Sequence, residues 1–193
     1  MRNLLLSLLF SVSLYSLASA QGGIPTGLKI GDVAPAIEGI DHNGKPVSLA
    51  QLLKQGPVVV TFYRGFWCPF CTKYLKKLQD SLVSKGGRII AVTPETQAFA
   101  LKMVERSWVT YPLVSDIDGH LLAAYKVGFA VDEATLSKYK GYGIDLKANN
   151  GGRAELPVPA TYVVGTNGKI TFVHFNADYK ERANLNTLQT STK

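Results

Sequence analysis

The chain reads as an α/β protein, a three-layer sandwich around a central mixed β-sheet. Three observations predict this. Two strongly apolar runs, Val58 to Tyr63 and Arg88 to Val92, have the composition of buried parallel strands. Segments with apolar residues at helical spacing follow them. A late pair of strands, Thr161–Val164 and Lys169–Val173, flanks Thr166-Asn167-Gly168, which is a hairpin signal and adds antiparallel strands to the sheet.

Taken in order, residues 1–20 look like an address rather than structure. Arg2 supplies a positive charge, Leu4 to Leu17 carries none, and Ala18-Ser19-Ala20 is a small-x-small cleavage site. This is the pattern of a secretory signal peptide. It predicts a single domain over 21–193 in a secreted or periplasmic protein. The apolar stretch is short for a membrane span, and no other long apolar segment follows it, so stable membrane insertion of the mature chain is not expected. Residues 21–28 form a Gly- and Pro-containing leader, and Asp41 to Lys45 a polar turn. Ala50 to Lys54 makes a short helix at most.

Strand Val58–Tyr63 leads into a helix from about Cys71 to Lys85, which Gly86-Gly87 stops. After strand Arg88–Val92, Pro94 opens a helix to about Arg106. A short strand at Tyr111–Val114 and a short helix at Gly119–Tyr125 precede a long connection, Val127 to Leu156. A last helix is predicted over Tyr179–Leu188. The formal net charge of +7 comes from scattered Lys and Arg without a basic block interleaved with aromatics. A solvated basic surface is therefore the reading, and no nucleic-acid partner is expected.

The chemistry is concentrated at Cys68-Pro69-Phe70-Cys71, which contains the only two cysteines of the chain. They lie between a buried strand and the start of a helix. A disulfide across so short a loop constrains the unfolded chain little, so a structural staple is a poor explanation. A helix N-terminus stabilises a thiolate, which makes a redox role the better one. Zinc needs more ligands than this pair, and His42, His120 and His174 show no paired spacing. No metal or organic cofactor is implied. Glu155 is weighed as a proton shuttle for Cys71, although a plain loop glutamate is the simpler reading. His174 is read as a strand residue.

With those residues in hand, the strand-WCxxC-helix unit resembles the thioredoxin fold. Gly31-Asp32-Val33-Ala34-Pro35 followed by Asp41 to Leu49 resembles the amino-terminal signature of the AhpC/TSA peroxiredoxin group. Tyr63 to Cys71 resembles its peroxiredoxin-like branch with a CPxC motif, and Pro157 to Val164 resembles the cis-proline and following strand of the fold. The resemblance implies a thioredoxin-like domain and assigns Pro159 as the cis-proline beside the cysteines. It also implies supporting roles for Trp67, at the site rim, and Arg64. There are departures. In an ungapped count the family's peroxidatic cysteine falls on Cys71, its Ser/Thr on Cys68 and its proline on Arg64. Its late arginine falls near Pro159.

The expectation is therefore a thiol-dependent antioxidant oxidoreductase. It would reduce hydroperoxides through a Cys68/Cys71 thiol–disulfide cycle, re-reduced by an external thioredoxin-like protein. Two alternatives stay open: disulfide exchange on protein disulfides, and a non-catalytic thioredoxin-fold binding module. The ungapped count nominates Cys71 as first nucleophile; exposure and the helix end nominate Cys68, which is the preferred choice.

Overall fold

The computed structural model describes residues 24–192; the proposed signal segment and cleavage site lie outside them. A five-stranded mixed sheet forms the middle layer. It comprises β3 (Val58–Phe62), β4 (Arg88–Thr93), β5 (Leu113–Ser115), β8 (Ala160–Val164) and β9 (Ile170–Phe175), in the order β5-β4-β3-β8-β9. β3, β4 and β5 run parallel, whereas β8 and β9 are antiparallel to their neighbours. Two small antiparallel two-stranded sheets accompany it: β1 (Glu38–Ile40) with β2 (Pro46–Ser48), and β6 (Gly128–Ala130) with β7 (Glu155–Pro157).

The alternation of side chains along β3 explains the layers. Val58, Val60 and Phe62 enter a core with Leu121, Leu122 and Tyr125 of α4 (His120–Ala124) and its cap. Val59 and Tyr63 face the opposite layer, built from α2 (Pro69–Ser81), α3 (Gln97–Ser107) and α7 (Leu185–Ser191). Cys68 and Cys71 belong to this second core. Leu75 lies at its centre and is fully buried, so Leu75→Ala is expected to cost about 2–5 kcal/mol of stability, read from urea unfolding.

Several boundaries differ from the sequence reading. α2 begins two residues earlier, at Pro69, because the ring fixes a helical φ at the first turn. It ends at Ser81, and a separate 3₁₀ turn over Val83–Lys85 reaches Gly86 in the left-handed conformation. The last helix starts at Leu185 rather than Tyr179, because the Asn184 side chain accepts the Asn186 and Thr187 amides and caps it there. The connection Val127–Leu156 is no open loop. It contains β6, α5 (Glu133–Gly141), α6 (Leu146–Asn149) and β7, with Asp132 and Asp145 capping the two helices.

The cis-proline assignment is corrected. No peptide bond among the described residues is cis, including Val158–Pro159. The reason is visible in the pairing. Gly128 pairs with Pro157, and the Val158 amide donates to the Val127 carbonyl at 2.8 Å. Only Val158 and Pro159 separate β7 from β8, and the Val158 N–H is engaged by Val127 rather than turned toward the cysteines. Pro159 itself is buried one residue before β8, which pairs with β3.

Candidate active site

β3 delivers the chain to the site. Beyond it, Arg64 to Trp67 form a loop, Cys68 caps α2 and Pro69 starts it. The Cys68 side chain makes no capping hydrogen bond. Its carbonyl accepts the Cys71 and Thr72 amides, each at 3.1 Å, which fixes the two cysteines one turn apart. The two sulfurs are not bonded to each other here, and both are buried, Cys68 at 1% exposure and Cys71 at 0%. The expectation that Cys68 is the exposed member is therefore corrected.

Electrostatics nonetheless separates the two sulfurs. Cys68 is lowered to about 6, first because the Cys71 thiol hydrogen-bonds to it. Burial opposes this, while the Cys71 amide and the charges of Arg64 and Arg182 help. Cys71 is pushed well up by burial, and its hydrogen bond to Cys68 and the charge there push it further. Arg182 partly offsets this: its Nη2 donates to Cys71 Sγ at 3.5 Å. These effects favour Cys68 as the thiolate-forming member of the pair and Cys71 as the proton-bearing one. Alkylation of Cys68 by a small reagent is expected to rise with pH about a midpoint near 6, rather than the roughly 8.5 of free cysteine. Iodoacetamide kinetics followed by peptide mass spectrometry checks this.

Arg64 is buried in a cage of aromatic rings. Its guanidinium lies 4.9 Å from the Trp67 ring centre, 5.7 Å from Tyr139 and 4.4 Å from Tyr179. It also donates to the Tyr139 hydroxyl. Such rings favour a cation electrostatically and keep the head oriented. Trp67 packs on Tyr139 at 5.2 Å between ring centres, and Tyr179 meets Phe70 edge-on at 5.7 Å. Trp67 therefore stands as a packing residue at the site rim.

The structure brings Cys68, Cys71, Trp67 and Arg64 together. Glu155 instead pairs with Arg153 and lies against Gly119 and Gly128, in another part of the molecule lined also by His120. His174 sits on β9 as expected, but its Nε2 is buried without a partner. Four contributors were not found in the sequence: Glu95, Tyr139, Tyr179 and Arg182. The Glu95 carboxyl is fully buried and accepts the Phe66 amide at 2.8 Å. A weak signal for it exists, because it lies two residues past the apolar strand β4, and sites gather at the carboxyl ends of parallel strands. The other three lie on segments with no local mark of their role.

Among the described residues no helix is long and apolar enough to cross a membrane. The AhpC/TSA family model matches residues 30–173. A Mycobacterium tuberculosis protein named as a peroxiredoxin is 29% identical over 154 residues, covering 78% of this chain and 87% of that protein. The thiol-disulfide oxidoreductase ResA of Geobacillus thermodenitrificans is 26% identical over 174 residues, covering 88% of this chain and 83% of that one. Among solved structures, the peroxidoxin BcpB of Mycobacterium tuberculosis superposes with a TM-score of 0.64 at 24% identity, covering 84% of this chain and 97% of that one. A secreted disulfide oxidoreductase of the same organism superposes at 0.54 with 16% identity, covering 80% and 92%. These likenesses carry the thioredoxin-type fold and a thiol-dependent oxidoreductase character, and by the extent of the family match the chain belongs to the AhpC/TSA family.

Proposed function

We propose that the protein reduces small hydroperoxides with Cys68 as the first nucleophile and Cys71 as the resolving thiol. The observation that carries this reading is a thiolate-forming Cys68 held in a buried site beside Arg64. A hydroperoxide is small enough to reach a buried sulfur, whereas a protein disulfide needs the side chains around Cys68 to move.

The Cys68 thiolate attacks the terminal peroxide oxygen and the O–O bond breaks. The alkoxide leaves and is protonated to the alcohol, with Cys68 left as a sulfenic acid. Arg64 is placed to favour the thiolate and the developing negative charge. Cys71 then attacks the Cys68 sulfur, water leaves and the disulfide closes. A thioredoxin-like protein opens it again by thiol–disulfide exchange.

A second reading, exchange with protein disulfides in a secreted or periplasmic setting, is favoured by the CxxC itself and by the likeness to ResA. The two use the same sulfurs, and one purified sample separates them. Hydroperoxide consumption and insulin-type disulfide reduction are measured side by side with the same reductant. The peroxide reading expects turnover in the first assay and little in the second; the reverse would replace it. Inactivity in both would leave a binding module.

A further inference from the structure

Beside the cysteine loop lies a surface patch that the redox chemistry does not use. The Cys68 amide donates to the Gly65 carbonyl at 3.1 Å, so Phe66 and Trp67 form the tip of a tight turn that ends at Cys68. Trp67 packs on Tyr139, whereas Phe66 stacks on Phe99 of α3, with 5.3 Å between ring centres and 22° between planes. Two cations of α3 lie on these rings. Lys102 Nζ is 4.4 Å from the centre of Phe99 and 5.4 Å from that of Phe66, and the Arg106 guanidinium is 4.8 Å from Phe66. Arg106 Nη1 also donates to the Phe66 carbonyl at 3.1 Å. Both cations are exposed, as is their neighbour Leu101.

The patch is positive and lacks a counter-charge of its own. Among the described residues neither Lys102 nor Arg106 forms an ion pair, not even with the exposed Glu105 on the same helix. Glu95, the carboxyl behind them, is fully buried, and burial raises it to about 8, so it does not neutralise them at neutral pH. The chain as a whole carries +7, which opposes seating a second copy here. What covers the patch follows from the chemistry of Cys68. Phe66 is two residues from Cys68, at most about 7 Å along the chain. A protein that bonds to the Cys68 sulfur covers roughly 600 Å² or more around it, so the rings and cations beside the turn fall under its footprint. Aromatic faces and arginine are also the side chains that anchor protein partners.

We propose that Phe66, Phe99, Lys102 and Arg106 form the docking surface for the thioredoxin-like protein that reopens the Cys68–Cys71 disulfide, and that this partner presents acidic side chains beside its own cysteines. Reaching the buried Cys68 sulfur needs the side chains around it to move. Attraction outside the loop raises the encounter rate and holds the partner in place through that movement. A thiolate of the docked partner then attacks the Cys68 sulfur, the Cys68–Cys71 bond breaks, and Cys71 leaves as a thiolate that takes a proton from water. The partner's second thiol loses its proton to water and attacks the partner's sulfur in the mixed disulfide, releasing Cys68 as a thiolate. The partner is oxidised by two electrons and this chain is reduced by two. A small uncharged hydroperoxide gains nothing from the patch.

The inference rests on the reading above for the disulfide and its protein reductant but not for peroxide as substrate, so its test uses none. The Cys68–Cys71 disulfide is closed with diamide, and its reduction is followed by acid quenching and thiol counting by mass. Two reductants are compared, a thioredoxin of net negative charge and dithiothreitol. With the thioredoxin, the second-order rate constant should fall about tenfold between low salt and about 1 M, where the screening length is only ~3 Å. Lys102→Glu combined with Arg106→Glu should lose about tenfold at low salt and most of the salt dependence, while dithiothreitol stays within about twofold of its wild-type rate. Lys102→Glu alone keeps the Arg106 bond to Phe66 and should lose about threefold, which decides the matter even if the double variant fails to fold. A thioredoxin whose carboxylates around its cysteines are replaced by lysines should prefer the variants to the wild type. A wild-type rate constant independent of salt, or one that neither substitution changes, would overturn the proposal. So would an equal loss with dithiothreitol, because the patch would then support the loop rather than a partner. Absence of peroxide turnover would sink the peroxide reading and leave this assay intact.

Discussion

Cys68→Ser is expected to abolish turnover, and Cys71→Ser to stop the cycle after its first step. The asymmetry follows from the environment of each sulfur. Cys68 is the group lowered to about 6, by the Cys71 thiol and then by the helix amide and two arginines. A serine hydroxyl there remains protonated and has no comparable nucleophilicity. Cys71 is the thiol raised by burial, so in Cys68→Ser it stays protonated and slow. In Cys71→Ser the first attack still occurs, but nothing resolves the product. Cys68 should accumulate as a sulfenic acid with peroxide, trapped by dimedone, or as a mixed disulfide with a thiol partner. That thiolate should also form less readily than in the wild type, because its largest stabilising contribution is the Cys71 thiol. Its alkylation midpoint should therefore rise. Dimedone label found on Cys71 in the Cys68→Ser protein would reverse the assignment and favour the ungapped family count.

Arg64→Met should lower the peroxide rate constant by about 100-fold, the usual scale for losing one charge-stabilising donor. Methionine retains apolar volume in the cage formed by Trp67, Tyr139 and Tyr179 but removes the charge. The Cys68 alkylation midpoint should move upward, since Arg64 helps to lower it. Tyr139→Phe is the companion variant. It deletes the hydroxyl that Arg64 contacts and leaves the guanidinium in place, so its loss should be much smaller. Stopped-flow peroxide kinetics on both variants makes the comparison. Equal losses would mean that packing, rather than charge, sustains the reaction.

The sequence made some of this legible and hid the rest for identifiable reasons. The β3–CxxC–α2 unit is continuous in the chain, and its signals are local: a buried strand, a proline at the first helical turn and a helical period. The parallel β4 and the hairpin β8–β9 are equally local. The insertion between Val127 and Leu156 was not legible because its strands have three residues each and pair across the insertion, Gly128 with Pro157. Its helix α5 buries no residue fully, so it has no clear apolar stripe. The site suffered likewise. Tyr139 comes from that insertion, while Tyr179 and Arg182 come from the turn before α7, where a helix was expected. Glu155, near β8 in the sequence, is the carboxyl that the local pattern offers; Glu95 reaches the cysteine loop only through the parallel pairing of β3 and β4. The proline isomer depends on the tertiary pairing of β6 and β7, which no local pattern discloses.

The proposed cycle stands on Cys68 being a peroxide-reactive thiolate that Cys71 resolves. A single-turnover experiment tests it most directly. Fully reduced protein is mixed with one equivalent of a small organic hydroperoxide at pH 7, and alcohol, free thiols and peptide mass are followed together. One alcohol is expected per Cys68–Cys71 disulfide, formed orders of magnitude faster than with free cysteine. A rate no greater than that of free cysteine, with Cys68 and Cys71 still reduced, would contradict it.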